Sequence, residues 1–162
     1  MRNHNAEQRR QLRIEEIQFC FLETYGEGKM IKTLARVTIL VRDLDEALRF
    51  YTEKLGLEKR ADQNFGPGMR WLTVAPKEQT ELEIVLQKPD ASMHGEEGAK
   101  DLLSRVGQGT AWVFYTDDCR RTYETLLSRG VVFVRPPQEQ MYGVEALFQD
   151  LYGNTFSLLQ PR

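Results

Sequence analysis

Apolar and polar positions along much of the chain alternate in short runs bounded by turn residues, and between these runs lie stretches of helical spacing. In residues 34–41, Val37, Ile39 and Val41 share one face while Arg36, Thr38 and Leu40 share the other, which predicts a strand covered on both sides. Asp43 then marks a helix start. Its carboxylate can accept amide hydrogens of the first turn, and Glu46 three residues on completes an Asp version of the capping box. Leu44, Ala47, Leu48, Tyr51 and Leu55 follow at helical spacing, and Gly56 supplies a left-handed stop. Three β-rich segments come next, at residues 57–61, 69–75 and 81–87, separated by Asn64-Phe65-Gly66-Pro67-Gly68 and by residues 76–80. This half reads βαβββ.

A polar connector follows over residues 89–107, with a short helix predicted near residues 99–106, and then the order returns. Residues 110–116 form a strand, Asp117 and Asp118 cap a helix carrying Tyr123, Leu126 and Leu127, and Gly130 stops it. Residues 131–135, 144–149 and 155–160 supply three more strands, broken by Pro136-Pro137 and by the turn Tyr152-Gly153-Asn154. Arg36 matches Ala111 and Asp43 matches Asp118 at an offset of 75, while Gly56 matches Gly130 and Glu83 matches Ser157 at 74. One single-residue gap keeps the register, which implies a duplicated unit. Residues 1–30 stand outside this pattern. Residues 5–23 read as a helix, with Gly26 and Gly28 behind it, and the basic and acidic residues of the segment cancel. Two readings stay open: an appendage without its own core, or a natural start at Met30. The expected class is α+β: two tandem βαβββ modules, about 31–90 and 108–162, in one domain over residues 31–162, with an extra N-terminal helix.

Composition narrows the partners. The 162 residues are 41% hydrophobic and 28% charged, with 22 Lys and Arg against 24 Asp and Glu. Such a balance leaves no broad basic surface for nucleic acid and no disordered acidic tail. No apolar run reaches the roughly 20 residues of a membrane span, so no membrane partner is expected. Cys20 and Cys119 make no metal or disulfide pattern, and a reducing cytoplasm is the expected compartment. His4 and His94 are the only histidines.

The stretch from Arg36 to Ala47, with Phe50-Tyr51 and Leu55-Gly56-Leu57 behind it, resembles the opening strand and helix of the vicinal oxygen chelate superfamily. That group includes glyoxalases, bleomycin-resistance proteins and extradiol dioxygenases. Phe148-Gln149-Asp150-Leu151-Tyr152-Gly153-Asn154 resembles its turn before the last strand, with Leu151 in place of proline. The resemblance covers about residues 31–162 and implies the fold, a homodimer and a small-molecule ligand, without fixing a reaction. It also implies four inward positions that hold a divalent metal in some members. Here those positions are Arg36, Glu83, Ala111 and Ser157. Only Glu83 is an ordinary ligand; Ala111 offers no donor atom, Ser157 is a poor ligand, and Arg36 puts a permanent positive charge there. No cofactor is therefore expected, and a divalent metal is disfavoured.

Three readings of Arg36 and Glu83 stay open: a buried ion pair filling the vacated position, an anion-recognising arginine with Glu83 orienting a ligand donor, or Glu83 as the catalytic base. The last is opposed by Arg36, which favours the ionised, weakly basic carboxylate. Trp71, Tyr115 and Tyr142 are candidate pocket residues alongside Ser157, while Trp112 and Phe114 alternate onto the helix side and read as core. Cys119 reads as structural. The resulting expectation is a small-molecule-binding protein of the glyoxalase/bleomycin-resistance kind with a degenerate, metal-free site. The alternative is a lyase or isomerase related to lactoylglutathione lyase, and whether the chain is an enzyme stays open.

Overall fold

The structure is a computed structural model that describes residues 33–162, so the predicted N-terminal helix and the Met30 question lie outside the described residues. Residues Leu34–Arg162 form one compact unit. The first module comprises β1 (Arg36–Leu40), α1 (Leu44–Arg49) running into a π-helical turn (Phe50–Lys54), β2 (Glu58–Asn64), β3 (Arg70–Ala75) and β4 (Glu83–Gln87). A connector helix, α2 (Ala91–Ser104), leads to the second module: β5 (Val113–Tyr115), α3 (Cys119–Ser128), β6 (Val132–Gln140), β7 (Gly143–Gln149) and β8 (Thr155–Pro161). The two sheets have the same order, β1-β4-β3-β2 and β5-β8-β7-β6, each with one parallel pair (β1 with β4, β5 with β8). This is the expected α+β arrangement of two βαβββ modules.

One apolar core joins them. Ile39, Leu72 and Leu86 of the first sheet, Phe50 and Tyr51 of the helix, and Phe148 and Phe156 of the second sheet belong to a single buried cluster. Trp112 and Phe114 pack at its edge, each ring against Phe156, as their alternation predicts. The helix ends are tied reciprocally: Lys54 Nζ donates to the Gly130 carbonyl at 3.3 Å, and Arg129 Nη1 donates to the Lys54 carbonyl at 3.2 Å. A polar clasp crosses the same boundary. The Tyr51 phenol donates to Asp150 Oδ2 at 2.6 Å, and the Asp150 carboxylate also accepts from the Tyr152 and Asn154 amides and the Asn154 side chain. Asp150 is 5% exposed, and its bonds to the Tyr51 phenol and to Asn154 are buried, where water does not compete.

Several local expectations change. Asp43 caps α1 as predicted, accepting from the Glu46 amide at 2.8 Å, but the reciprocal half of the capping box is absent. The Asp43 amide instead donates to the Tyr152 hydroxyl at 3.0 Å, and that hydroxyl lies 3.1 Å from Glu46 Oε2. A phenol from the second module thus takes the role of a local side chain. The end of the predicted helix widens into a π turn, with the Leu55 amide donating to the Phe50 carbonyl. The wider turn lets the consecutive Phe50 and Tyr51 both point inward. The connector helix is longer than predicted and is kinked at Gly95, whose φ of 70° breaks helical geometry. β5 is shorter than its predicted span, leaving Ala111 and Trp112 ahead of it. Pro136-Pro137 does not end β6, because β6 is an edge strand where a missing amide costs no ladder bond.

Candidate functional site

Each strand divides its side chains between the helix side and an open face. In β4, Ile84 and Leu86 enter the core, so Glu83, Val85 and Gln87 point the other way; in β8, Phe156 and Leu158 enter it and Ser157 faces away. Most of the functional candidates sit on these open faces, one group on each sheet.

On the first sheet, β1 and β4 pair with Arg36 opposite Glu83. Arg36 Nε stands 3.6 Å from Glu83 Oε2, beyond hydrogen-bond distance, and the guanidinium carbon lies 5.5 Å over the Trp71 ring. The side chains of Arg36 and Glu83 are 38% and 25% exposed, so the pair is partly open to solvent and the buried-pair reading of the sequence is corrected. A loose pair over an aromatic face leaves guanidinium hydrogens free for an incoming acceptor.

On the second sheet the polar set is tighter. Ser157 Oγ donates to Glu145 Oε1 at 2.6 Å, Tyr142 donates to Glu145 Oε2 at 3.1 Å, and Arg135 donates to the same Oε2. Partial desolvation, with the Glu145 hydrogen bond second, raises the Tyr142 phenol above its usual value, so it remains a donor. Arg135 Nε is buried and has no partner among the described residues. Ser157 and Tyr142 are candidates from the sequence; Glu145 and Arg135 join them only in the structure. Glu145 lies 74 residues after Trp71, so the offset that aligns Glu83 with Ser157 would have flagged it. Arg135 carried no such signal. Simple alternation puts it on the same face as Phe133, but a register shift pairs Phe133 with Phe148 and Arg135 with Leu147, turning Arg135 to the open face.

The other candidates fall apart from these groups. Tyr115 is 74% exposed and lines an apolar cleft of about 230 Å³ between the modules, with Leu57, Phe114 and Phe148. A second cleft, about 340 Å³, lies between Thr38 and Leu40 of β1 and the Arg105–Thr110 part of the connector. Neither holds Arg36, Glu83 or Ser157. His94 touches Gln87, with its Nε2 3.0 Å from the Gln87 amide nitrogen. Cys119 is buried, and burial pushes its thiol above the usual range.

The four positions matched to metal ligands do not make a ligand shell. Arg36 brings a positive charge, Ala111 has no donor, and the Ser157 hydroxyl is committed to Glu145. Among the described residues no group of three or more His, Cys, Asp or Glu side chains is placed to hold a metal ion.

A family model described as the Glyoxalase/Bleomycin resistance protein/Dioxygenase superfamily matches residues 33–158. Among solved structures, the chain is 42% identical to UcmS2, with a TM-score of 0.73 over 80% of this chain and 98% of that one. It is 30% identical to TnmS3, an antibiotic binding protein from a Streptomyces species, with a TM-score of 0.68 over 83% and 100% of the two chains. It is also 36% identical over 129 residues to the uncharacterized protein YetH of Bacillus subtilis, covering 80% of this chain and 98% of that protein.

Proposed function

Because the chain belongs to the glyoxalase/bleomycin resistance protein/dioxygenase superfamily, we propose that it binds a small organic molecule, without a metal, on the open face that carries Arg36, Trp71 and Glu83. The observation that carries this reading is the place of Arg36. A guanidinium 3.6 Å from Glu83 supplies the positive charge that a cation would otherwise bring, and it does so over an aromatic ring. The similarity to a named antibiotic binding protein supports an organic ligand of drug size. In this reading Arg36 takes an acidic or strongly accepting group of the ligand, Glu83 orients a donor beside it, and Trp71 gives the apolar contact.

The same reading makes the protein a cytoplasmic homodimer built on a duplicated module. Exposed Val113, Tyr115, Val132 and Val134 on the second module are the kind of apolar surface that a second copy would cover. Sedimentation at micromolar concentration is expected to show a dimer; a monomer alone would remove that part.

The site itself is tested by Arg36→Met, which keeps an unbranched apolar stem and loses the guanidinium with its charge. In titrations of small antibiotics bearing a carboxylate or phosphonate, the variant is expected to bind about 10-fold or more weakly, as befits a lost charge-assisted hydrogen bond. Equal affinity for wild type and variant would take Arg36 out of the site.

A further inference from the structure

We infer that the apolar cleft between the modules, on the helix side of the second sheet, is a second binding site for a small aromatic carboxylate. The ring sits among the apolar side chains and the acid group turns towards Lys77. Phe114, Leu126, Phe148 and Leu158 of the second module line this cleft together with Leu55 and Leu57 of the first. Leu126, Phe148 and Leu158 belong to the buried core and Phe114 packs against it, so the cleft lies across the second sheet from the face that carries Ser157. Size limits the occupant. About 230 Å³ exceeds the roughly 150 Å³ in which an apolar cavity holds benzene, and falls short of the roughly 300 Å³ at which sites for drug-sized molecules begin. One ring with a short substituent fits, and the Phe114 and Phe148 rings in the wall favour an aromatic one.

Charge and hydrogen bonding then set the substituent. Among the described residues, Lys77 is the one charged residue in the lining, and it makes no ion pair. The neighbouring acids stay outside the lining: Glu58 pairs with Arg60, and Asp118 accepts from the Arg121 amide as the cap of α3. Arg129 adds positive charge at the Gly56 edge, with Nη1 3.6 Å from the point where a side chain on Gly56 would begin. Thr116 and Thr122 share one hydroxyl hydrogen across 2.8 Å. Among the described residues, the second hydrogen has no acceptor nearer than the Asp118 carbonyl, 3.4 Å from Thr116 Oγ1, so it is available to a ligand. An ammonium and a free hydroxyl hydrogen both call for an acceptor, and a carboxylate is the group that only accepts.

The experiment titrates phenylacetate and its neutral counterpart phenylacetamide into ¹⁵N-labelled full-length protein, as wild type and as Lys77→Gln. Lys77 is exposed, and Arg60 bonds its backbone carbonyl, so the substitution leaves the turn intact. Phenylacetate is expected to move the Gly56, Leu57, Thr116 and Thr122 amides, with a Kd on the order of 1 mM for so small a ligand. Lys77→Gln is expected to weaken phenylacetate by about threefold, as suits an ion pair at an exposed lip, and to leave phenylacetamide unchanged. Shifts confined to the Arg36 and Trp71 side overturn the inference, as does equal affinity of both proteins for phenylacetate. An equal loss for both ligands would mean a disturbed cleft rather than a lost charge, and overturns it too. So does movement of the cleft amides with protein concentration alone, which would mean that a second copy covers them, and so does the absence of any shift. The Arg36 reading stands or falls separately, on Arg36→Met.

Discussion

Asp150→Ala is expected to lower the unfolding free energy by about 3–5 kcal/mol, because it orphans several buried donors at once. The Tyr51 phenol, itself fully buried, loses its 2.6 Å partner, and the Asn154 side chain loses its own at 2.8 Å. Since these bonds join the helix of the first module to the turn of the second, the loss acts on the packing between modules as well as on the turn. Urea unfolding should show the fall in midpoint. Tyr51→Phe is milder, about 1–2 kcal/mol, and the double variant should cost less than the sum, since the two groups are partners. A pH dependence accompanies this pair. Burial first, and then the adjacent Asp150 charge and hydrogen bond, hold the Tyr51 phenol well above its ordinary value of 10.0. The folded chain thus keeps a proton that the unfolded chain gives up, so stability is fully present below about pH 10 and falls as the pH rises beyond it. Tyr51→Phe should flatten that alkaline slope. An Asp150→Ala protein with an unchanged midpoint would contradict the clasp.

Gly143→Ala is the second large effect, with an expected cost of about 2–4 kcal/mol from steric overlap and backbone strain together. Gly143 has a φ of 147°, and a Cβ there would lie 2.0 Å from the Gln160 carbonyl oxygen. That contact is with backbone, so no side chain can swing aside. Gly143 opposes Pro161 in the pairing of β7 with β8, so relief requires the two strands to part at this end. Tyr142 and Glu145 flank the position, and their 3.1 Å hydrogen bond would be strained along with the strand end. The variant should melt at lower temperature and exchange its Val144 amide faster than wild type. A melting temperature within a degree of wild type would show that the close approach is not held in solution.

These two positions also show what local sequence chemistry reveals and where it stops. Asp43, Asp118, Gly56 and Gly130 mark helix ends by capping and left-handed geometry, both properties of a few adjacent residues, and each stands where its chemistry predicts. The strands followed from alternation for the same reason. Interactions between distant segments were not legible. Tyr152 displaces Glu46 from the capping box of a helix more than 100 residues away, a contact created only when the modules pack. Arg135 reaches the open face through a register shift, and alternation is blind to an added residue in a strand. Glu145 reads by itself as one more solvated acid; only the serine, tyrosine and arginine gathered around it give it a role. The Arg36 and Glu83 pairing was legible because the resemblance placed both, while its looseness depended on side-chain geometry.

In the reading proposed above, Arg36 and its neighbours hold an organic ligand at positions where the family resemblance implies a divalent metal in some members. The most direct test of that reading is elemental analysis of purified protein, paired with thermal melting with and without Ni, Zn, Mn and Fe(II). The expected result is metal far below one ion per chain and no rise in melting temperature with any of the four. Near-stoichiometric metal with a clear rise would contradict it, because binding to the folded state alone must stabilise that state.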